Sequence, residues 1–289
     1  MAGMNNKKII DEKIGIDTDS IIHFERLNWK EIDGLNKDHC VFFLPISPLE
    51  EHGPHLPVGT DLITARDATI ETIKILSKKH PSYTCILLPS IPIGFAGFNT
   101  DFPGTVSVSS RTVKEIVFQY GKMLAQNGFS KLIVCSYHMA LGHLKGIHNA
   151  LNKLRRSYQM NVCEPWSSIF YSDAINTHEP SVDFDTKTEI HGGFRETSLM
   201  KYTHPSLVDK NYTNLPTQFS EKISSPTIIF KTFKQIGLKD GYVGTPSKAD
   251  TQYGKWFFEF TVQSYINAFE LMIENKPLPE LPKKVKRQM

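Results

Sequence analysis

The stretch CVFFLPISPLEEHGPHLPVGTD, residues 40–61, joins a continuous apolar run to a loop with two glutamates, two histidines and an aspartate. A run such as CVFFLPI, which does not alternate with polar residues, is typical of a strand covered on both faces, as in a parallel sheet. Polar side chains directly after such a strand lie beyond its carboxyl end, where open α/β sheets bind ligands. The stretch therefore predicts a fold class and also the place of a functional site.

Similar apolar runs recur at residues 84–93, 131–137, 160–166 and 227–233, and helical patterns lie at 64–79, 109–128, 143–157 and 250–273. The helix at 109–128 is predicted to begin at capping serines and to end at Asn127-Gly128. Strands that alternate with helices predict a layered α/β domain with a mainly parallel sheet. Residues 172–188 lack periodicity and predict a long loop, which in a compact domain is more often functional than idle.

The composition is that of one globular domain, with 289 residues, 40% hydrophobic and 22% charged. A net charge of +3, without a basic cluster interleaved with aromatics, does not indicate a nucleic-acid partner. The basic tail PKKVKRQM is predicted to be a solvated end. The start, MAGMNNKKIIDEKIG, lacks the apolar segment of a secretory signal, and no apolar run approaches the ~18 residues of a membrane span.

The four cysteines predict buried free thiols and a cytoplasmic location. They are far apart, each sits in or beside an apolar run, and they form neither a C-x-x-C pair nor a disulfide framework.

The loop after residues 40–46 carries side chains that suit metal ions. If the backbone stays extended, Glu50 and His52 point to the same side, ~7 Å apart at their bases. Asp61 follows a turn rich in proline and glycine. We expect this turn to bring Asp61 back to the same point, where its carboxylate would bridge two metals. Two metals that share a carboxylate and a water generate a hydroxide near neutral pH. Oxygen and imidazole ligands suit zinc or manganese, but the pattern alone also fits a surface ion pair.

Two further segments carry the same types of side chain. His138 follows the run 131–137, at the equivalent end of another strand. His191 and Glu196 flank a Gly-Gly turn in EIHGGFRETSLM. The glycines allow the backbone to approach the site closely, while the two side chains supply a base and a carboxylate. His143 and His148 fall in a helical pattern and are predicted to be solvated or on a helix face. Acid and imidazole groups from three separate segments together predict a dinuclear metal hydrolase.

At this point the sequence resembles a known family. LPISPLEEHGPHLPVGTD, residues 44–61, is similar to the motif LP-x-G-S-x-E-x-H-G-P-H-L-P-x-x-T-D of the creatininase (creatinine amidohydrolase) family. DFPGTVSV (101–108), HGGFRETSLM (191–200) and DGYVGTPSKADTQYG (240–254) resemble its F-P-G-T, H-[AG]-G-x-x-E-T-S and G-x-x-G-[DT]-P-x-x-A segments. The resemblance follows the family's order and covers about residues 24–273.

The resemblance implies a three-layer α/β/α sandwich and a homo-oligomer, which is a hexamer in creatininase itself. It also implies hydrolysis of a C–N amide bond, in a cyclic amide or formamide of a small molecule, by a hydroxide that bridges two divalent metals. These metals would be zinc or manganese, with iron as a further option. Carried over by position, the first metal would bind Glu50 and His138, the second would bind His52, and both would bind Asp61. His191 would act as acid or base, with Glu196 beside the water or on the second metal.

The sequence departs from the family at several positions. Ser136 and Tyr137 replace Asn-Gly, Ala140 stands where creatininase has a metal-binding glutamate, and Asn99 stands where the family has a histidine. We interpret these changes as a reshaped pocket. If position 137 needs a positive φ, a tyrosine there would cost about 1 kcal/mol or more.

The candidate substrate-binding residues are Tyr137, Trp166 and Asn99, with core packing as the alternative for Trp166. Two other functions stay open. One is a family member that has lost catalysis and serves as a binding or assembly subunit. The other is a hydrolase of a peptide-like amide.

Overall fold

The protein is described here by a computed structural model that covers residues 21–172, 174–224 and 231–289. Its strands are β1 (Ile22–His23), β2 (Cys40–Pro45), β3 (Thr84–Leu87), β4 (Lys131–Cys135) and β5 (Asn161–Cys163). The longer helices are α1 (Thr60–Lys79), α2 (Ser110–Gln126), α3 (Leu141–Tyr158), α4 (Phe194–Thr203) and α5 (Thr251–Ile273). Shorter helices span Trp29–Asp33, Trp166–Phe170, Ala174–His178 and Lys283–Lys286.

The strands form one parallel sheet in the order β1-β3-β2-β4-β5, with helices on both faces. Successive side chains of β2 point to opposite faces, so Phe43 packs in one core and Phe42 in the other, both fully buried. Helices α1, α4 and α5 cover the first face, and α2 and α3 cover the second. The predicted α/β/α sandwich with a parallel sheet is confirmed.

The order of the strands brings two polar loops together. β2 pairs with β4 along its length, and Pro45 at the end of β2 lies opposite Cys135 at the end of β4. Because the two strands are parallel, their carboxyl ends meet at one edge of the sheet. The loop that contains Glu50 and His52 therefore lies next to the loop that contains His138.

Some predicted strands are shorter than their apolar runs. The run 84–93 forms a strand only to Leu87, and the run 160–166 only to Cys163. Prolines 89 and 165 follow these ends, and proline lacks the N–H that a strand would need to continue in the sheet. In the run 227–233, residues 227–230 lie outside the described part of the chain, and residues 231–233 form no strand.

The helix predicted at 109–128 has the expected ends. The Ser109 hydroxyl accepts a hydrogen bond from the Thr112 N–H over 3.1 Å, and Gly128 adopts a φ of +84° after Asn127. The helix predicted to begin at residue 64 begins earlier, at Thr60, which places Asp61 in its first turn. All four cysteines are buried and free, as predicted.

Two other predictions were wrong in part, and one helix was missed. Residues 172–188 contain the short helix Ala174–His178, so they are not one continuous loop. The basic tail is not solvated throughout, because Val285 is buried and packs the last short helix onto the domain. Helix α4 was not predicted. The N-terminal stretch considered for a signal, residues 1–15, lies outside the described residues.

Candidate metal centre

The first candidate metal group consists of Glu50, Asp61 and His138, all of them buried. The His138 Nε2–H donates to the Phe95 carbonyl oxygen over 2.8 Å, which leaves Nδ1 with the lone pair. That Nδ1 lies 3.0 Å from Glu50 Oε2 and 3.0 Å from Asp61 Oδ2. A lone pair that faces two carboxylates at this distance requires a cation or an extra proton between them.

The second candidate group consists of His52, Asp61 and Glu196. The His52 Nδ1–H donates to the Glu50 carbonyl oxygen over 2.9 Å, so Nε2 points its lone pair into the group. This Nε2 lies 3.3 Å from Asp61 Oδ1 and 3.8 Å from Glu196 Oε2. Within the described residues it has no hydrogen-bond partner.

The two groups share Asp61 through its two different oxygens, Oδ2 toward His138 and Oδ1 toward His52. This arrangement follows from the start of α1, because a first-turn position points the carboxylate back toward both loops. Potential ligand atoms lie within 4.8 Å of one another in each group. Asp61 therefore lies where a bridge between the two groups would have to lie. Its role as a bridge between two metals stays a prediction.

The charges of this cluster are balanced by protons in the absence of cations. Burial raises the pKa of Asp61, but the imidazoles of His52 and His138 outweigh burial and hold that pKa well below its usual range. Burial lowers the pKa of His52, but the carboxylates of Asp61 and Glu196 outweigh it and raise that pKa to about 10. Burial raises the pKa of Glu196 to about 7.

Divalent cations fit this set of residues. Each group offers carboxylate oxygens and one imidazole nitrogen whose other nitrogen is held by a backbone carbonyl, as is common for metal-binding histidines. No cysteine of the described chain belongs to either group. Such oxygen and nitrogen donors suit zinc or manganese.

His191 lies next to the cluster and forms a third grouping with Glu50 and His52. Its Nε2–H donates to the Glu51 carbonyl oxygen over 2.6 Å, and its ring centroid lies 4.2 Å from that of His52. Asn99 Nδ2 lies 2.7 Å from the same Nε2. Because Nε2 donates to the carbonyl, it cannot also accept from the Asn99 amide, so the Glu51 carbonyl is the contact that fixes the orientation of the His191 ring.

A cavity of about 710 Å³ opens above these groups. Tyr137 and Trp166, two of the predicted substrate-binding residues, line it and stack with ring centroids 6.0 Å apart. Asn99 is fully buried behind His191 and is not among the lining residues, so this geometry does not support its predicted contact with substrate. His143 was predicted to be solvated or on a helix face, but it is fully buried and its Nε2 lies 3.2 Å from Ser136 Oγ.

Three contacts position the side chains of the site, and those made by Phe95 and Glu189 were not predicted from the sequence. The Phe95 carbonyl fixes the His138 ring. The buried Glu189 carboxylate accepts from the N–H groups of Phe194 (2.5 Å) and Thr245 (2.9 Å), which ties the start of α4 to residues 244–246. His55 meets the Thr197 hydroxyl at 2.8 Å and braces α4 next to Glu196. A backbone carbonyl carries no signal in the sequence. Glu189, an acid two residues before His191, is visible in the sequence.

A family model described as creatinine amidohydrolase matches residues 25–269. The chain belongs to the creatininase family. The creatinine amidohydrolase of Pseudomonas putida is 27% identical over 256 residues, which is 84% of this chain and 94% of that protein. The mycofactocin precursor peptide peptidase of Mycobacterium ulcerans is 25% identical over 170 residues, 57% of this chain and 59% of that protein.

Solved creatininase structures share the fold. A tryptophan-to-alanine mutant of creatininase superposes with a TM-score of 0.68 at 20% identity and covers 88% of this chain and 99% of its own. A manganese form has a TM-score of 0.64 at 24% identity over 89% and 99%. A Zn–Zn form of another mutant has a TM-score of 0.63 at 24% identity, with the same coverage.

Two departures from the creatininase pattern can now be located. Ala140 precedes α3 and leaves the second group without a glutamate from that loop, but Glu196 of α4 stands in the group with His52. Tyr137 does not adopt a positive φ, since Gln159 and Asn275 are the non-glycine residues of the described chain that do. The conditional strain penalty at position 137 therefore does not arise. Among the described residues, no helix is long and apolar enough to cross a membrane.

Proposed function

We propose that this creatininase-family protein is a metal-dependent amidohydrolase that cleaves a C–N amide bond in a small molecule, either a cyclic amide or a formamide. The observation that carries the proposal is the position of Asp61, whose two oxygens face two imidazoles in two adjacent candidate metal groups. The similarity to creatinine amidohydrolase over 94% of that protein supports the reaction class.

Glu50, Asp61 and His138 would hold one divalent cation, and His52, Asp61 and Glu196 would hold the other. When bound, the cations would supply a nucleophilic water near neutral pH and polarise the amide carbonyl. Glu50, His52, Asp61 and His138 are buried, which strengthens the charge interactions among them. The manganese and Zn–Zn forms of creatininase support these metals for the site.

His191 would move the proton. Its Nε2–H is held by the Glu51 carbonyl, so Nδ1 has the lone pair. Nδ1 would accept a proton from the attacking water and deliver it to the leaving nitrogen. Burial lowers the pKa of His191, and the nearby His52 lowers it further, which keeps the ring neutral and able to accept a proton.

The proposal is tested with Asp61→Asn, because this change removes the shared carboxylate charge at nearly constant volume. We expect the wild-type protein to bind zinc or manganese and to hydrolyse an amide. The variant should lose both properties. Asp33→Asn, at a side chain that is 81% exposed, is the matched control and should behave as wild type. Metal content is measured by mass spectrometry after gel filtration. A wild-type protein that takes up neither metal would rule the proposal out.

A second candidate is a hydrolase of a peptide-like amide. The similarity to a mycofactocin precursor peptide peptidase and the cavity of about 710 Å³ favour it. Activity on peptides, with none on small cyclic amides or formamides, would select it. A third candidate, a binding or assembly subunit without catalysis, is favoured by Ala140 and Asn99. Any amide turnover that disappears in Asp61→Asn would remove this third candidate.

A further inference from the structure

The cavity above the candidate metal groups is much larger than a single small ring requires. Its volume of about 710 Å³ lies within the ~300–1,000 Å³ of pockets that hold drug-sized ligands. A small cyclic amide bound at Asp61 would leave most of this space to water. The size of the cavity indicates a substrate with a second part that extends away from the reacting amide.

One wall of the cavity is an aromatic cluster that follows directly from the His138 loop. Tyr137 stacks on Trp166 at 6.0 Å and 12°, and Phe257 meets the Trp166 ring edge-on at 5.7 Å. All three residues border the cavity, and their rings are buried in the hydrophobic core beneath it. Because Tyr137 directly precedes His138, this wall begins at the first metal group.

Another part of the lining is formed by Phe95, Phe98 and Phe233. Phe98 and Phe233 are stacked at 6.1 Å and 12°, and the Phe233 ring meets the His191 ring at 5.6 Å. Phe95 is the residue whose carbonyl holds His138. Both aromatic clusters thus border the residues proposed to act on the amide.

These rings are not all explained by core packing. Phe95, Phe98, Phe170 and Tyr171 line the cavity but are only partly buried, so they keep aromatic surface open toward it. Contiguous open apolar surface in a concave site is typical of ligand binding. Of the two basic side chains in the lining, Arg195 is already paired with Glu179 at 3.0 Å.

We infer that the cavity is a subsite for an aromatic ring carried by the amide substrate. The ring would bind between the Tyr137–Trp166 and Phe98–Phe233 pairs, with stacked or edge-on contacts. The inference rests on the proposed function for the bond that is cleaved. The ring subsite predicts that an aromatic amide binds to the protein, whether or not the amide is then hydrolysed.

The test compares three amides on the whole protein by calorimetric titration: acetamide, N-cyclohexylacetamide and acetanilide. Burying a ring should tighten binding by about tenfold or more, so acetanilide should have a Kd well below that of acetamide. N-cyclohexylacetamide should lie between them, because it lacks the aromatic contacts. Trp166→Leu should weaken acetanilide binding by about tenfold more than it weakens acetamide binding. The control Trp29→Leu, at a side chain 72% exposed, should change neither.

Equal Kd values for acetamide and acetanilide would overturn the inference, and equal values for the phenyl and cyclohexyl amides would overturn its aromatic part. If Trp166→Leu does not fold, Phe98→Leu gives the same test from the other cluster, at a side chain that is only partly buried. Tight acetanilide binding with no hydrolysis of any amide would refute the proposed function and leave the subsite standing. Amide hydrolysis without preference for the aromatic ring would support the proposed function and refute the ring subsite.

Discussion

At the scale of single residues, the second candidate metal group depends on Glu196 for its third donor. Creatininase places a metal-binding glutamate where this chain has Ala140, and the third donor beside His52 and Asp61 comes from α4 instead. Glu196 Oε2 also accepts the Gly192 N–H over 2.5 Å, which fixes the carboxylate relative to the Gly-Gly turn. The Glu196 carboxylate thus holds the Gly-Gly turn and also belongs to the candidate metal group.

We predict that Glu196→Gln will lower the bound metal from about two equivalents to about one. The amide keeps the side-chain volume but is a weak metal ligand, whereas Glu50, Asp61 and His138 remain intact. Metal content after gel filtration, measured beside amide turnover, checks this. Adding Ala140→Glu to the variant should restore part of the lost metal, because the new carboxylate also lines the cavity. Unchanged metal content in Glu196→Gln would show that the group binds no ion through this residue.

At the scale of elements, the position of α4 is set by its contact with α5. A Cβ at Gly254 would overlap the carbonyl oxygen of Ser198, so glycine permits the two helix backbones to touch. We predict that Gly254→Ala will push α4 away and destabilise the protein by about 1–3 kcal/mol. Metal affinity at the second group should fall with it, since Glu196 moves with α4.

Urea unfolding and zinc titration measure these two effects. The exposed neighbour Gln252→Ala is the control and should stay within about 0.5 kcal/mol of wild type. A Gly254→Ala variant with wild-type stability would mean that the two helices can separate without cost.

An ion pair between Glu179 and Arg195 holds the segment 174–188 to α4. Their side chains are only 10% and 15% exposed, and the Tyr253 hydroxyl donates to the same carboxylate over 2.5 Å. We predict that Glu179→Gln will cost about 3–5 kcal/mol, because it leaves the guanidinium buried without a counter-charge. The double variant with Arg195→Met should recover much of this loss. Thermal unfolding of the three proteins compares them, and equal losses in the single and double variants would contradict the explanation.

At the scale of the whole molecule, the sequence predicted the sheet and the site for one physical reason. Continuous apolar runs such as residues 40–46 predict parallel strands, and parallel strands place their following loops at one edge. Helix α4 was missed because its buried residues mix apolar side chains with Thr197 and Ser198, whose hydroxyls meet His55 and the Asp250 N–H. Such a set of residues has no apolar periodicity. Tyr137 and Trp166 of the aromatic lining were predicted, but the other rings were missed because they come from segments that only the folded chain brings together.

The buried charges predict that stability depends on pH without metal and is nearly independent of pH, over the same range, with metal. His52 has a pKa of about 10 in the folded protein and about 6.5 when unfolded, so its stabilising contribution is complete below about pH 6.5 and disappears as pH rises toward 10. Asp61, with a lowered pKa, loses its contribution only in acid. We predict that the melting temperature of the chelated protein will fall by several degrees between pH 8 and 10. The zinc-loaded protein should hold its value, because the bound imidazole is already deprotonated. His52→Gln should flatten the profile of the chelated protein, and parallel slopes with and without zinc would contradict the prediction.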